Sequence, residues 1–392
     1  MRIAIIFGTR PELIKLASVI HRLRRLKGVR VITISTGQHQ EMLEAVLPFF
    51  EITTDIKLSI MAPGQTLSEL LAAAIRKLDA VIQRLPTFDV MIGQGDTTTA
   101  LAASLVAFTN KIPFLHVEAG LRSHDVDNPF PEEHNRVLIS HTAMWHLAPT
   151  RQARDNLLRE GIASRNILVT GNTVVDAVCW ARRKIACHDV RERIGADLKR
   201  RGLNLDGITR FVLVTAHRRE NFGRGLRQIC FALKKIAKNH ADLHLVWPVH
   251  LNPNVQKVVR CELAGESRIH CLPPLDYPTL LYLLSRCHLV LTDSGGIQEE
   301  APSFHKPVLV MRETTERPEV LRVGAGQLVG TDARRITRAV ARLMRNPVAY
   351  AVMASASNPF GDGRAAEHVA RLLTSGRMDS HFNTPRSRTE RR

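Results

Sequence analysis

Aromatic residues make up 5% of this 392-residue chain, with only three Trp and three Tyr. That scarcity argues against a nucleic-acid platform, where rings stack on successive bases. No apolar run approaches the roughly 18 residues a bilayer-spanning helix needs, so membrane insertion is not expected. The opening MRIAIIFGTRPE has an apolar run of only a few residues and no small-residue cleavage site, so it reads as a first strand rather than a signal peptide. The six cysteines, Cys179, Cys187, Cys230, Cys261, Cys271 and Cys287, include no C-x-x-C pair. Zinc ribbons and redox dithiols need close spacing, and scattered thiols fit a reducing cytoplasm. Neither G-x-G-x-x-G nor G-x-x-x-x-G-K-[ST] occurs, which removes the usual signatures of dinucleotide and P-loop nucleotide binding.

Acidic residues are also short: 37 Asp and Glu face 55 Lys and Arg, a net charge of +18. The basic residues gather in HRLRRLKGVR (21–30), ARRK (181–184), RERIGADLKRR (191–201), RRITRAVARLMRN (334–346) and the closing PRSRTERR. No stacking residues are interleaved with them and no nucleic-acid motif accompanies them. Solvated helix faces, and a field that attracts an anionic small molecule, account for the imbalance better than phosphate-backbone binding.

What the chain does have is alternation. Strand-like runs at 2–8, 29–36, 88–93, 112–118, 145–150 and 166–171 are separated by helical patterns near 12–26, 39–50, 66–85, 97–108, 133–143 and 151–160. Such β-α alternation predicts a parallel, doubly wound sheet with helices on both faces. After a helix near 172–186 comes a charged, Gly-bearing stretch to about 209 that reads as an interdomain link. The pattern then restarts, with runs at 211–217, 243–250, 268–274, 288–296 and 306–312 and a helical region over 331–374. The expected fold class is α/β: two Rossmann-like domains facing a cleft. The first covers 1–175 and carries acidic residues; the second covers 205–360, followed by a C-terminal helix at 361–375. Residues 376–392 are polar and basic without periodicity and are expected to be disordered.

In a parallel sheet the C-terminal strand ends share one edge, where ligands bind. Asp96 follows FDVMIGQG, Glu118 ends IPFLHV, and Glu132 and Glu133 open a helix in NPFPEEHNR. Carboxyls brought to one edge in different environments can divide acid and base work. Each has a plainer reading: Asp96 before three threonines can cap a helix, and Glu132 and Glu133 suit a first helical turn after Pro131. Glu118 is harder to dismiss, because an acid ending a strongly apolar strand needs a partner or a role. In FGTRPELIKL, Arg10 and Lys15 sit where a strand turns into a helix, a place that favours anions, or they are simply exposed cations. In LTDSGGIQEEAP, the Ser294-Gly295-Gly296 turn can cradle phosphate oxygens, and Glu300 can accept ribose hydroxyls; close packing and dipole pairing are the alternatives. His217, beside two arginines in VTAHRRENFGRG, can donate to a phosphate or act as an acid. Arg317 offers a planar fork for phosphate or carboxylate. A metal site from Glu132, Glu133, His134 and His141 fits no zinc signature, so no metal is expected.

Taken in order, FGTRPE, TGQHQEM, GDTTTA, HVEAGLR, NPFPEEHNR, AHRRENFGRG, PVHLNPNV, DSGGIQEEAP, VLVMRETTERPE and NPFGDG resemble the non-hydrolysing UDP-N-acetylglucosamine 2-epimerases, from about residue 2 to 375. The resemblance implies a GT-B-like pair of domains, no added cofactor, a homodimer, and interconversion of UDP-GlcNAc and UDP-ManNAc for bacterial surface polysaccharide. It implies that Asp96, Glu118 and Glu132 are the catalytic carboxylates and that His217 acts at the diphosphate. Arg10, Lys15, Ser294, Gly295 and Gly296 would hold the diphosphate and reacting end, Glu300 the ribose, and Arg317 would line the site. Gln38, His39, Glu133 and His250 lie in motifs consistent with a second, activating substrate site. One departure stands out: LPPLDYPTLL carries Leu275 and Leu280 where the family pattern has Gln and Phe near uracil. Alternatives are a 2-epimerase of a UDP-2,3-diacetamido sugar or its uronic acid, a hydrolysing relative, a GT-B glycosyltransferase, or a polyanion-binding protein.

Overall fold

Strands buried on both faces read as near-continuous apolar runs, and the chain supplies such runs twice. The computed structural model describes residues 1–127 and 129–375. In the first unit, Met1–Ala177 plus the described residues from Gly361 onward, seven strands form one sheet. These are β1 (Arg2–Phe7), β2 (Arg30–Ser35), β3 (Ile56–Lys57), β4 (Val90–Gln94), β5 (Phe114–Val117), β6 (Trp145–Ala148) and β7 (Ile167–Val169). Their order is β3-β2-β1-β4-β5-β6-β7, and every pairing is parallel. Ile3 to Phe7 of β1 are fully buried at the centre.

The second unit, Val178–Phe360, repeats the plan with six strands: β8 (Arg210–Thr215), β9 (Leu243–Pro248), β10 (Ile269–Leu272), β11 (Leu289–Thr292), β12 (Val308–Val310) and β13 (Gly326–Leu328). The order is β10-β9-β8-β11-β12-β13, again all parallel. Its core runs from Val212 and Val214 through Trp247 to Leu309 and Met311. Both units are therefore doubly wound α/β sheets, the class the alternation predicted.

The stretch expected to link two domains is helical: His188–Arg200 buries Ile194 and Leu198, and Leu203 follows them into the core. Val190, Ile194 and Leu198 recur every four residues, a thin stripe inside a charged sequence. The chain leaves the first unit within the helix Thr173–Ala186 and comes back to it at Gly361. There, the buried Asp176 carboxylate accepts the Ala366 and Ala365 amides at 3.0 and 3.1 Å, capping the helix Ala365–Thr374 from 189 residues away in sequence. The basic tail 376–392 lies outside the described residues. No described helix is long and apolar enough to cross a membrane.

Asp176→Ala strands two buried amide donors. The expected loss is about 1–3 kcal/mol in urea denaturation, with earlier proteolysis of the Ala365–Thr374 helix; an unchanged midpoint and digestion pattern would contradict the capping role.

Candidate active site

In the first unit strand order reverses around β1, so the loops after β1 and β4 diverge at the switch point where open α/β sheets take ligands. The loop after β1 is tight: a Cβ at Gly8 would run into the hydroxyls of Thr36 and Thr99. Glu12 holds it. Its Oε2 accepts the Gly8 amide at 3.0 Å, and the Thr9 amide and hydroxyl at 2.8 Å each. Its Oε1 accepts the Thr97 hydroxyl at 2.7 Å, tying the β1 loop to the β4 loop. Burial raises this carboxyl to about 7, despite those hydrogen bonds. Arg10, half-buried beside it, has no hydrogen-bond or ion-pair partner among the described residues.

Lys15, on the same helix, reaches the end of β5. Its Nζ donates to Glu118 Oε1 and Oε2 at 2.7 and 2.6 Å, and Gln94 Nε2 donates to Oε2 at 2.7 Å. Glu118 is buried and sits at φ 64°, a left-handed conformation that costs a non-glycine residue of order 1–3 kcal/mol. The chelating ammonium and the amide fix its side chain in that position.

Asp96, two residues past β4, meets Arg136 from the helix Glu132–Thr142. Arg136 Nε and Nη2 lie 2.8 and 2.7 Å from Asp96 Oδ2, and Nη1 donates to Glu133 Oε2 at 2.7 Å. Glu133 Oε1 in turn accepts the Ser123 and His124 amides at 2.9 and 3.0 Å. Burial opposes its charge, but the two amides and Arg136 outweigh burial and hold the Glu133 carboxyl below its ordinary value. Asn135 Nδ2 fixes the Asp96 carbonyl at 2.8 Å. Glu132, half-buried at the helix start, has no hydrogen-bond or ion-pair partner among the described residues. Behind Asp96, the buried His116 bonds the Gly95 carbonyl at 2.7 Å, and burial pushes its imidazole down to about 4.

In the second unit the reversal falls between β8 and β11, and Asp293 directly follows β11 there, fully buried. Its Oδ2 accepts the His217 amide at 2.8 Å, the Arg218 amide at 2.9 Å and Asn221 Nδ2 at 3.0 Å. The His217 ring lies beside it, with Nδ1 3.4 Å from Oδ1, and stacks on His250 with centroids 5.4 Å apart. Burial lowers the His217 imidazole below its ordinary value, with His250 and Arg218 in support and Asp293 opposing. Arg317 Nε donates to Glu299 Oε1 at 2.5 Å. The guanidinium Nη2 atoms of Arg218 and Arg317 both lie 3.8 Å from where a Gly295 side chain would begin, so Gly295 borders a cationic corner. Arg312 joins them through Glu316, which its Nη2 meets at 3.5 Å and which faces Arg218 at 3.9 Å.

The residues picked out from sequence thus fall into two groups. Arg10, Lys15, Asp96, Glu118, Glu132 and Glu133 collect along the carboxyl edge of the first sheet; Gln38 joins them through its Oε1, which accepts the Thr99 hydroxyl at 2.9 Å, while His39 is exposed. His217, His250, Ser294, Gly295, Gly296 and Arg317 belong to the corresponding edge of the second, with Glu300 buried on the short helix Gly295–Glu300. Leu275 is buried in the same unit. Among the described residues no three His, Cys, Asp or Glu side chains are grouped to hold a metal. Glu12, Arg136 and Asp293 were not singled out, although Asp293 ends an apolar strand just as Glu118 does.

The folded value of Glu12, about 7, exceeds the ordinary 4.5, so the folded state holds the extra proton. The stability it contributes is complete below about 4.5 and is lost as pH rises through 7. Glu12→Gln is expected to flatten that decline in chemical denaturation between pH 4.5 and 7.5; an equal slope in both proteins would refute the assignment.

The chain is similar to known proteins along nearly its whole length. The family model described as UDP-N-acetylglucosamine 2-epimerase matches residues 21–374. The UDP-N-acetylglucosamine 2-epimerase of Escherichia coli K12 is 45% identical over 378 residues, covering 96% of this chain and 100% of the relative. That of Yersinia pestis is 47% identical over 374 residues, covering 95% and 98%. The crystal structure of UDP-GlcNAc 2-epimerase from Neisseria meningitidis bound to UDP-GlcNAc superposes with a TM-score of 0.89 at 41% identity, covering 96% of this chain and 100% of the other. Similarity of this extent, to the family model and to relatives covered almost end to end, shows that this protein belongs to the UDP-N-acetylglucosamine 2-epimerase family.

Proposed function

We propose that the protein interconverts UDP-GlcNAc and UDP-ManNAc without hydrolysis, by eliminating and re-adding UDP. The C1–O bond breaks as UDP departs, and the C2 proton goes to a carboxylate, leaving 2-acetamidoglucal with a C1=C2 double bond. Return of a proton to the opposite face of C2, with attack of a diphosphate oxygen on C1, completes the epimerisation. No oxidant or reductant is consumed, and no cofactor is needed for this balance.

The observation that carries the reading is the unequal treatment of three carboxyls. Asp96 is held by Arg136 and Glu118 by Lys15, whereas Glu132 has no countercharge among the described residues. Fixed anions disfavour negative charge near them but stabilise positive charge developing at C1, and an unclamped carboxyl exchanges a proton more readily. Asp96, Glu118 and Glu132 form the acid–base set on this reading. Arg10 and Lys15 serve the reacting end. His217, Arg317 and the Ser294-Gly295-Gly296 turn take the diphosphate, where Arg218 adds a second guanidinium, and Glu300 takes the ribose. Gln38, His39, Glu133 and His250 are the candidates for substrate activation, although Glu133 is also tied to Arg136 and two amides. The protein acts in the cytoplasm as a homodimer, supplying ManNAc units for surface polysaccharide.

Proton NMR of the protein with UDP-GlcNAc in D2O tests the reaction. UDP-ManNAc carrying deuterium at C2, with no free sugar accumulating, is the expected result. An unchanged spectrum rejects this substrate, and a panel with UDP-2,3-diacetamido sugars and their uronic acids then identifies the true one. Asp96→Asn and Glu132→Gln are each expected to lower kcat by about 10²–10⁴ with unchanged thermal melting; near-normal rates would remove them from the acid–base set.

A further inference from the structure

We infer that Asp293 is the positioning residue for His217, fixing which imidazole nitrogen carries the proton and which meets the ligand. The inference rests on the reading above, in which His217 acts at the diphosphate. Asp293 lies at the end of β11, directly beside the end of β8, which carries His217; the two strands are in register at Thr292 and Thr215, whose hydroxyls meet at 2.6 Å. One carboxylate oxygen is taken up by the backbone of His217 and Arg218 and by Asn221, so the Asp293 side chain cannot swing away from the loop it anchors. The other oxygen, buried and without a hydrogen bond of its own, faces His217 Nδ1 at 3.4 Å.

A fully buried carboxylate is strongly disfavoured unless donors surround it, and the imidazole Nδ1–H is the donor that the second oxygen lacks. That contact selects the Nδ1–H tautomer, turns Nε2 outward and stabilises the imidazolium when Nε2 takes a proton. The other groups facing the ring are His250, stacked on it, and the Arg218 cation, both of which disfavour its positive charge. Among these groups Asp293 is the one that favours protonation of His217.

The test is two-bond ¹H–¹⁵N correlation NMR of the full-length, histidine-labelled protein from pH 5 to 8, with His217→Gln used to assign the signal. The expected wild-type neutral form is Nδ1–H; an Nε2–H tautomer in the wild type overturns the inference whatever any variant does. Asp293→Asn keeps an oxygen for the two backbone amides but turns an NH2 group toward Nδ1. It should convert His217 to the Nε2–H tautomer and move its titration to lower pH. An unchanged tautomer and titration in a folded Asp293→Asn protein also overturns it. In turnover, the variant is expected to lose kcat by about 10–100-fold, the range for removing an outer-shell partner, with KM for UDP-GlcNAc nearly unchanged. Should the wild type leave UDP-GlcNAc untouched, the assigned substrate falls while the NMR result on Asp293 stands.

Discussion

A carboxylate taken out of water must be surrounded by donors, and that requirement organises both sheet edges of this protein. Glu12 gathers the amides after β1 and the Thr97 hydroxyl after β4. Glu118 draws in Lys15 and Gln94. Asp293 draws in the loop after β8. Each acid also takes donors from a segment other than its own, Thr97 for Glu12, Lys15 and Gln94 for Glu118 and the loop after β8 for Asp293, so separate segments of each edge are tied together. The side chains proposed to meet substrate are carried on those loops, which gives them rigidity that loop backbone alone does not supply.

The same requirement distributes charge. Arg136 serves Asp96 and Glu133 together, and Glu133 fastens the turn at Ser123 and His124. One guanidinium thus connects the strand-end acid to the loop that precedes its helix. In the second unit three guanidinium groups gather near Gly295, with Glu220, Glu299 and Glu316 as the ion-pair partners of Arg218, Arg312 and Arg317. Guanidinium forks gathered there suit a ligand that brings phosphates.

The fold was legible because parallel strands buried on both faces read as unbroken apolar runs, and because β-α alternation admits few topologies. What escaped was short or disguised. β3 has two residues, β13 is Gly-Gln-Leu with no β-branched side chain, and the helix 188–200 shows three apolar positions in a charged sequence. At the site, acids that end apolar strands could be found by their incongruity. Their partners could not: Lys15 lies 103 residues from Glu118, and Arg136 lies 40 from Asp96, distances that only the folded sheet closes. Glu12 was hidden for another reason, since a Glu in a first helical turn normally faces solvent and here is buried.

The return of the chain at Gly361 bears on how the protein is made. Its second unit is one uninterrupted segment, complete once residue 360 has left the ribosome. The first unit, although it begins the chain, waits for Ala365 and Ala366 to reach Asp176. During synthesis the amino-terminal sheet is therefore the earlier to start and the later to be finished, and the usual order of domain completion from the N-terminus is reversed.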